Sequence, residues 1–502
     1  MKIVLPCLML IFQCIITNAQ KVVYSQPDRE DARQTNFEII GKVGGNILIY
    51  KTYNNNHFIS VFDMEMKQKD RIKLEFLPDR IINADFISYP DFCYMFYQFQ
   101  KKNIVYAMAA RFDGNGKLLG KEILMDTTQI SFLANNKLYS IVNSDDKQYI
   151  DLFKINSKND DRFVVTTMLF DKNMVQKEKV SLYIDMPDRH DFLTEFLVDN
   201  DGGFAFLRAA QESENDKVKN LFIYAKKAGS NVTTSHTIEL NKQWLDEVRL
   251  KADNYNKHYL VSSFFSKTRR GNIDGLYTCI WDKATDSSLS VTSTIFNEDL
   301  RNEARGDNGT KTAFNDFSIR NVIVKKDGGF ILAAESFFST SRGGANRYDY
   351  MYGSPFLQPM DYYSFGPLNY GYPWNRYNSL GQNIRYNAQN IAVFSYDNAG
   401  QVSWTNILTK SQFDDESEAY IGYSLLNSGD QLYFLFNQLE HRLQLLAAQS
   451  IDPNGKVTRN PTLKNLDQGY DFMARYGKQI GLRQIIFPCM YRNYLCFARV
   501  DF

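Results

Sequence analysis

The sequence comprises 502 residues, of which 44% are hydrophobic and 23% charged, and its 58 basic and 57 acidic residues leave a formal net charge of +1. The two signs of charge are interspersed without a basic stripe, which argues against nucleic acid and against a charged membrane surface as partners. After residue 20, no apolar run approaches the roughly 20 residues that a transmembrane helix needs.

The N-terminal segment has the three parts of a secretory signal peptide. Lys2 supplies the positive start, Ile3 to Ile16 is a largely apolar run, and Thr17-Asn18-Ala19 offers a small residue for cleavage. A lipid anchor on Cys14 is the alternative, but Gln13 precedes that cysteine where a small residue is expected. We therefore predict a signal peptide at 1–19 and an exported protein, located in the periplasm or at the outer membrane, with secretion as the alternative.

The first of two recurring hairpins consists of an apolar strand, a turn of Gly, Asp or Asn, and a second apolar strand. Its clearest copies are Leu197–Phe204 and Val324–Phe330, which both turn on Asp-Gly-Gly or Asp-Gly pairs that supply positive φ. Six looser copies turn at Gly44-Gly45, Tyr89-Pro90-Asp91, Asn135-Asn136, Tyr255-Asn256, Ser428-Gly429 and Tyr476-Gly477.

The second hairpin turns on Asp-x-x-Gly, and it alternates along the chain with the first. Clear copies are Asp113–Lys117, Asp397–Gln401 and Asp452–Lys456, and weaker ones lie near Asp63, Asp171, Lys226 and Asp282. Interleaving the two hairpins gives four-stranded units of roughly 45 to 60 residues, the period of β-propeller blades.

We therefore predict an all-β fold, a β-propeller of about eight four-stranded blades, in a single domain spanning 20–502. A count of seven stays open because the unit at 130–186 is irregular. The last unit ends at Phe502 without a fourth strand, whereas Lys21–Ser25 is a spare strand at the other end. We expect this N-terminal strand to complete the last blade and close the ring, since closure removes an open sheet edge.

The Asp-Gly-Gly-Phe and Asp-x-x-Gly hairpins resemble those of secreted β-propeller proteins of Bacteroidota, many of which have no assigned function. This resemblance covers most of the mature chain, but the motifs are short, and it implies the fold rather than an activity. The stretch from Asp397 to Trp404 also resembles a repeat of quinoprotein-type propellers. Only this copy retains the tryptophan, so cofactor binding does not carry over.

No catalytic motif stands out in the chain. No two of the five histidines have a metal-ligand spacing, and neither a Gly-x-Ser-x-Gly elbow nor a phosphate-binding glycine loop is present. We therefore expect no metal, no cofactor and no enzymatic activity. A paired Asp/Glu glycosidase site remains an alternative, because propellers assemble sites from distant blades.

Four cysteines remain after residue 20, and two of them are predicted to face each other. If the chain turns at Arg492-Asn493, Cys489 lies directly opposite Cys496 on the neighbouring strand, within disulfide reach. Two buried thiols side by side are the alternative to a disulfide.

An insertion at about 339–389, between the second and third strands of the sixth blade, is the segment that we single out for function. It holds nine of the 31 tyrosines, and Tyr and Trp give large contact area at low entropic cost. A loop that only packs on its own blade is the alternative. The predicted partner-binding residues are Tyr348, Tyr350, Tyr352, Tyr362, Tyr363, Tyr370, Tyr372, Trp374, Arg376 and Tyr377.

The connection after the sixth blade should reach the same face as the insertion and flank it with acidic residues. These are Asp414, Asp415 and Glu416, unless they are ordinary solvated turn charges. The first functional hypothesis is therefore a non-enzymatic scaffold that docks to an outer-membrane or secretion-associated protein complex through the insertion.

The second hypothesis is a carbohydrate-binding or carbohydrate-active propeller. The two hypotheses predict different surfaces. A glycan site should be a concave cleft in which carboxylates converge, whereas a docking loop should be an exposed aromatic surface.

Overall fold

The structure is a computed structural model, and it describes residues 21–30, 32, 35–131, 137–159, 161–213, 216–305, 313–341, 344–346, 385–415, 418–440, 443–460 and 469–502. The described part of the chain is almost entirely β-strand. Its helical elements are α1 (Glu298–Arg305) and a 3-10 turn, Ala474–Tyr476.

The strands are numbered in chain order and fall into eight antiparallel sheets. The N-terminal strand is β1 (Lys21–Tyr24). Blade 1 contains β2 (Thr35–Val43), β3 (Asn46–Tyr53), β4 (Asn56–Phe62) and β5 (Gln68–Lys73). Blade 2 contains β6 (Asn83–Ser88), β7 (Phe92–Lys101), β8 (Ile104–Asp113) and β9 (Ile123–Gln129). Blade 3 contains β10 (Tyr139–Asn143), β11 (Tyr149–Asn159), β12 (Arg162–Asp171) and β13 (Gln176–Asp185).

The next three blades continue this order. Blade 4 contains β14 (Phe192–Val198), β15 (Phe204–Ala210), β16 (Asn220–Lys226) and β17 (Thr233–Ile238). Blade 5 contains β18 (Trp244–Asp253), β19 (His258–Ser266), β20 (Gly275–Asp282) and β21 (Ser287–Ile295). Blade 6 contains β22 (Phe317–Val324), β23 (Phe330–Ser341), β24 (Gly344–Asn346), β25 (Arg385–Tyr396), β26 (Val402–Leu408) and β27 (Gln412–Asp414).

The last two blades complete the ring. Blade 7 contains β28 (Tyr423–Asn427), β29 (Leu432–Glu440), β30 (Leu443–Ile451) and β31 (Val457–Arg459). In blade 8 the inner strand is in two parts, β32 (Tyr470–Phe472) and β33 (Lys478–Gly481), which both pair with β34 (Gln484–Tyr491). The blade continues with β35 (Tyr494–Asp501) and ends with β1 as its outer strand. The predicted β-propeller is confirmed, and it has eight blades rather than seven.

The hydrophobic core is divided among the contacts between neighbouring blades. Eight clusters of buried apolar side chains each combine residues of two adjacent blades, from blades 1 and 2 round to blades 8 and 1. In the last of these, Phe37 of blade 1 meets Phe497 of blade 8 edge-on, with ring centroids 5.4 Å apart. A strand that packs against a blade on each of its two faces needs apolar side chains at successive positions. The strands of the first hairpins are in this situation, and their sequences are therefore continuous apolar runs.

The Asp-x-x-Gly turns of the second hairpins connect blades as well as strands. The Asn46 amide of blade 1 donates to the Gly114 carbonyl of blade 2 over 2.8 Å, and Asn406 of blade 6 donates to Gly455 of blade 7 over the same distance. Gly116 has φ +73°, and a Cβ there would lie 2.9 Å from the Ile72 side chain of the preceding blade. Glycine therefore meets two demands at this turn, the left-handed backbone and the close approach of the next sheet.

The N-terminal strand closes the ring as predicted. Lys21 to Tyr24 pair with Asp501 to Ala498, so β1 becomes the outer strand of blade 8. Beyond the strand, Asp28 accepts from the Lys51 ammonium of blade 1 at 2.7 Å in an almost fully buried ion pair. The N-terminal segment thus joins blade 8 to blade 1 by both sheet pairing and charge.

Two of the predicted turns lie elsewhere. The first hairpin of blade 3 turns between β10 and β11, not at Asn135-Asn136, which falls outside the described residues. In blade 8 the first hairpin turns between Gly481 and Gln484, while Tyr476-Gly477 belongs to an interruption of the inner strand by the 3-10 turn. In both blades the inner strand is short or broken, which weakens the apolar signal that a turn prediction needs.

The register of the last hairpin places Cys489 directly opposite Cys496. Both side chains are buried, and the two sulfur atoms lie 3.1 Å apart as free thiols. The two cysteines thus face each other as the predicted hairpin requires, and a disulfide between them remains a prediction.

Candidate functional site

A cavity of about 490 Å³ lies on the axis of the propeller, bounded by strands of blades 1, 2, 3, 6, 7 and 8. We call it the axial chamber. Its walls combine charged groups with aromatic and amide side chains, and its volume is in the range of small-molecule binding sites.

Two carboxyl groups and one ammonium group reach the axial chamber from blades 1, 2 and 8, and we call them the Glu38 cluster. Glu38 lies on β2, Asp85 on β6 and Lys478 on β33. In β2 the partly exposed Asn36 and Glu38 alternate with buried neighbours, because successive side chains of a strand point to opposite sides. The three residues are distant in sequence, and only the closed ring brings them to one wall.

Burial raises the pKa of Glu38 to about 8. The neighbouring Asp85 carboxylate acts in the same direction, and the Lys478 ammonium opposes both. One carboxyl oxygen of Glu38, Oε2, is buried and has no hydrogen-bond partner among the described residues. Asp85 differs, since its Oδ2 accepts from the Asn83 amide at 2.7 Å. At neutral pH the carboxyl of Glu38 is therefore protonated.

A second group of charges, the ion-paired cluster, lies on the side of blades 6 to 8. Its members Arg320, Glu335 and Arg475 line the cavity, and Lys410 and Glu418 lie behind them. Glu335 lies 2.8 Å from the Lys410 ammonium and 3.4 Å from Arg320 Nε, and Glu418 lies 3.1 Å from Arg475. Burial lowers the pKa of Lys410, and the Glu335 carboxylate opposes that effect. Each carboxylate of this cluster thus has a cation beside it, as buried charges require.

Arg320 reaches the axial chamber through an irregularity of its strand. The pairing of β22 with β23 skips from Ile319 to Asn321, so Arg320 is the extra residue of a β-bulge. Bulges redirect a side chain relative to its neighbours and are common beside functional sites. A bulge in β2 between Ile39 and Gly41 lies in the same way close to Glu38.

Aromatic and hydroxyl groups complete the walls. The Tyr423 hydroxyl donates to Asn321 Oδ1 at 2.8 Å, and Phe86 and Tyr476 add ring surface. The Ser424 hydroxyl is buried and has no hydrogen-bond partner among the described residues. Two further buried atoms of the chamber wall, Arg320 Nε and Glu335 Oε1, also lack a hydrogen bond among the described residues, but both belong to ion pairs. Glu38 Oε2 and the Ser424 hydroxyl are therefore the atoms that a ligand could satisfy.

A further polar cluster joins blades 4, 5 and 6 but is not part of the axial chamber. Glu195, with φ +59°, accepts from the backbone N–H of Leu250 at 2.9 Å and from Arg249 at 3.3 Å. Arg249 also donates to the Ile319 carbonyl at 3.0 Å. Because these groups satisfy one another between adjacent blades, we interpret the cluster as structural.

The ten predicted partner-binding residues, Tyr348 to Tyr377, all lie outside the described residues. The structure does describe the paired strands from which the insertion projects, and this paired base extends further than the sequence suggested. The strands β23 and β25 remain paired up to Thr340 and Arg385, and β24 and β27 add to the same sheet. The insertion does join the second and third strands of blade 6, as predicted.

The predicted flanking acidic residues lie beside this base. Asp414 ends β27, which pairs with β25, and Glu416 is outside the described residues. Asp415 binds the Arg385 guanidinium through two hydrogen bonds of 2.6 and 2.9 Å, and this contact lowers the pKa of Asp415. Arg385 also lies over the exposed Phe413 ring, 4.5 Å from its centroid. The negative charge of Asp415 is thus balanced at the surface.

The described residues contain no group of three or more His, Cys, Asp or Glu side chains arranged to hold a metal ion. Among the described helices, none has the length and apolar character needed to cross a membrane. Sequence reasoning missed Glu38, Asp85 and Lys478. A usable signal was present, because Phe37-Glu38-Ile39 and Asp85-Phe86-Ile87 each place an acidic residue inside an apolar inner strand.

No family model and no curated protein matches the chain. Among solved structures, a prolyl endopeptidase matches with 11% identity and a TM-score of 0.42 over 92% of this chain and 55% of its own. A polysaccharide lyase matches with 10% identity and a TM-score of 0.36 over 84% and 89% of the two chains. An apocarotenoid oxygenase variant from Synechocystis matches with 8% identity and a TM-score of 0.34 over 77% and 75%. The chain spans little more than half of the prolyl endopeptidase, and we draw neither substrate nor activity from these likenesses.

Proposed function

We propose that this protein binds a small polyhydroxylated ligand, of the carbohydrate kind, in its axial chamber. The observation that supports the proposal is the convergence of two carboxyl groups, Glu38 and Asp85, in a concave cavity of about 490 Å³. This arrangement favours the second functional hypothesis, since converging carboxyls in a cleft are what a glycan site requires.

The chemistry of the walls suits a sugar. Hydroxyl groups both donate and accept, so they can satisfy Glu38 Oε2 and the Ser424 hydroxyl, which have no partner among the described residues. Ring surface of Phe86 and Tyr476 offers a face on which the apolar side of a sugar ring can rest. A cavity of this volume encloses one or two sugar rings, in keeping with the usual size of small-ligand sites.

The test is isothermal titration calorimetry with a panel of monosaccharides and disaccharides, comparing the intact protein with Ser424→Ala. Loss of a hydroxyl that binds ligand should weaken affinity about five- to tenfold, the equivalent of one hydrogen bond. Because this hydroxyl has no described protein partner, the thermal stability of the variant should be unchanged or higher.

The matched control is Tyr183→Ala on the outer strand of blade 3, where the side chain is exposed and far from the axis. It should bind as the intact protein does. Absence of binding to every sugar in the panel would overturn the proposal. Analysis of the ligand after incubation shows in the same experiment whether it is bound intact or cleaved.

Docking through the insertion is the second candidate function, and the six-stranded sheet at its base favours it. The deletion that tests it should remove residues 347–384 only. Ala388 is fully buried against Phe337 and Ile421, so a longer deletion would damage the blade itself. Crosslinking in the native envelope should recover a membrane-protein partner with the intact protein and not with the deletion variant. Identical partners for both forms would contradict docking through the insertion.

Export by the predicted signal peptide is likewise a proposal. N-terminal sequencing of the protein isolated from the cell envelope should give Gln20 as the first residue. Retention of residues 1–19 in the mature protein would contradict it.

A further inference from the structure

The charges around the axial chamber do not favour a neutral ligand at neutral pH. The Glu38 cluster and the ion-paired cluster together contain four carboxyl groups and four cations: Glu38, Asp85, Glu335 and Glu418, with Arg320, Lys410, Arg475 and Lys478. Within these two clusters the balance is even only if Glu38 is ionised, and Lys147, outside them, adds a further positive charge nearby. With Glu38 in its acid form, one positive charge is left over.

The surplus is located at Lys478. No ion pair within 4.0 Å joins this ammonium to a carboxylate of the part of the chain that the structure describes, although its charge acts on Glu38. A second ammonium, that of Lys147, is near enough for the charge of Lys478 to add to the effect of burial in lowering the pKa of Lys147. Lys147 donates to the Ser88 carbonyl at 2.7 Å, and no carboxylate of the described residues forms an ion pair with it. Two neighbouring ammonium groups of this kind attract an anion.

We propose that the axial chamber selects a sugar that carries a single carboxylate, a sugar acid, with Lys478 as the counter-charge of that carboxylate and the Glu38 carboxyl as a hydrogen-bond donor to the sugar. This inference rests on the proposed function and gives its ligand a chemical class.

A carboxylate fits these residues better than a phosphate does. A phosphate monoester carries a charge of about −1.5 to −2 at neutral pH, whereas a carboxylate carries a single negative charge. Both arginines of the chamber wall are already engaged, Arg320 with Glu335 and Arg475 with Glu418. Lysine presents a point charge, which matches the single charge of one carboxylate.

Binding of such an anion should be linked to protonation of Glu38. The titratable and charged groups that face Glu38 are Tyr50 on β3, Asp85 on β6 and Lys478 on β33. Burial raises the pKa of Glu38 to about 8, so the carboxyl is neutral below this pH. Above it, a new negative charge inside the chamber repels the ligand and removes the hydrogen-bond donor. Affinity for the anion should therefore fall as the pH rises through about 8.

The test compares glucuronate with methyl glucoside, a neutral sugar of the same ring size, by calorimetry at pH 6.5 and pH 9. We expect glucuronate to bind about tenfold more tightly than the glucoside at pH 6.5, and this preference to shrink at pH 9. Glu38→Gln, which stays neutral and keeps donor capacity, should preserve the preference at pH 9. Lys478→Met should abolish it, and Lys121→Met on the surface of blade 2 should not.

The outcomes separate the inference from the proposed function. Equal binding of the two sugars would overturn the inference and leave carbohydrate binding in place. Binding of neither sugar would overturn the inference, and absence of binding to every sugar in the panel would overturn the proposed function as well. Preference for glucuronate that survives Lys478→Met would also overturn the inference, because the selectivity would then come from another group.

Discussion

The two charged clusters of the axial chamber are built from the same kinds of side chain but are compensated differently. In the ion-paired cluster, Glu335 and Glu418 each lie within 3.4 Å of a cation. In the Glu38 cluster, no ion pair within 4.0 Å joins Glu38 to a cation of the described residues, and burial raises the pKa of that carboxyl to about 8. The difference indicates that one wall stabilises the ring while the other keeps interactions available for a ligand.

The largest expected effect comes from breaking the ion-paired cluster. In Lys410→Met, the buried Glu335 keeps only the more distant Arg320 as its counter-charge. Removal of one partner of a buried ion pair lowers the free energy of unfolding by about 3–5 kcal/mol. Urea unfolding followed by circular dichroism measures the loss. Lys478→Met is the matched control and should cost less than about 1 kcal/mol. If the two variants lost similar amounts of unfolding free energy, Lys478 would be as closely paired with a carboxylate as Lys410 is.

The pH dependence of stability should identify Glu38. Its pKa is about 8 in the folded chain against an ordinary value of 4.5, so the folded protein holds a proton that the unfolded chain releases between these values. Stability should therefore fall as the pH rises from about 4.5 to 8, by up to about 1.4 kcal/mol per pH unit, and then level off.

Thermal unfolding of the intact protein and of Glu38→Gln at pH 5 to 9 isolates this contribution. Subtracting the stability of the variant from that of the intact protein at each pH cancels the contribution of other buried acids. Asp151 is one of these, because burial raises its pKa to about 7. A difference between the two proteins that does not change with pH would mean that Glu38 is ionised throughout.

A smaller effect should follow from changing the neighbour of Glu38. Asp85→Asn removes a negative charge that raises the pKa of Glu38, while an amide oxygen can still accept from Asn83. The pH at which stability levels off should therefore move to lower values than in the intact protein. Unfolding of Asp85→Asn over the same pH series measures this. An unchanged profile would show that burial alone sets the pKa of Glu38.

The smallest effect is expected at the base of the insertion. Asp415 and Arg385 form a well-aligned ion pair, but both side chains are about half exposed. Exposed pairs of this kind contribute little to stability, because water screens them. Asp415→Ala should leave the midpoint of thermal unfolding unchanged within error, and a clear drop would show that the pair holds the base of the insertion together.

Most of the fold was predictable from local sequence. In five of the second hairpins the Asp carboxylate accepts from two backbone N–H groups of its own turn, as Asp113 does from Asn115 and Lys117 at 2.9 Å. These hydrogen bonds explain why Asp recurs at this position. Such turns recur at a regular period, and the period predicts the blades. Where the inner strand is short, as in blade 3, the turn was misplaced because too few apolar residues define the strand.

The axial chamber could not be predicted in the same way. Glu38 and Lys478 are 440 positions apart, and no local pattern relates them before the ring is closed. Glu38 stands out locally only as an acidic residue within an apolar strand, and that pattern does not connect it with Lys478. The insertion attracted attention because its composition is unusual, whereas a site made of single residues from several blades leaves composition unchanged.

The pairing of β1 with β35 has a consequence for how the protein folds. Without that contact, the blades form a linear array in which each touches only its neighbours, and either end can fray independently. The contact joins residue 21 to residue 501, so its formation awaits the last strand of the chain. Once it forms, no terminal blade remains, and opening any blade must disrupt contacts on both of its sides. We therefore expect ring closure to be the late, slow step of folding and the main source of resistance to unfolding.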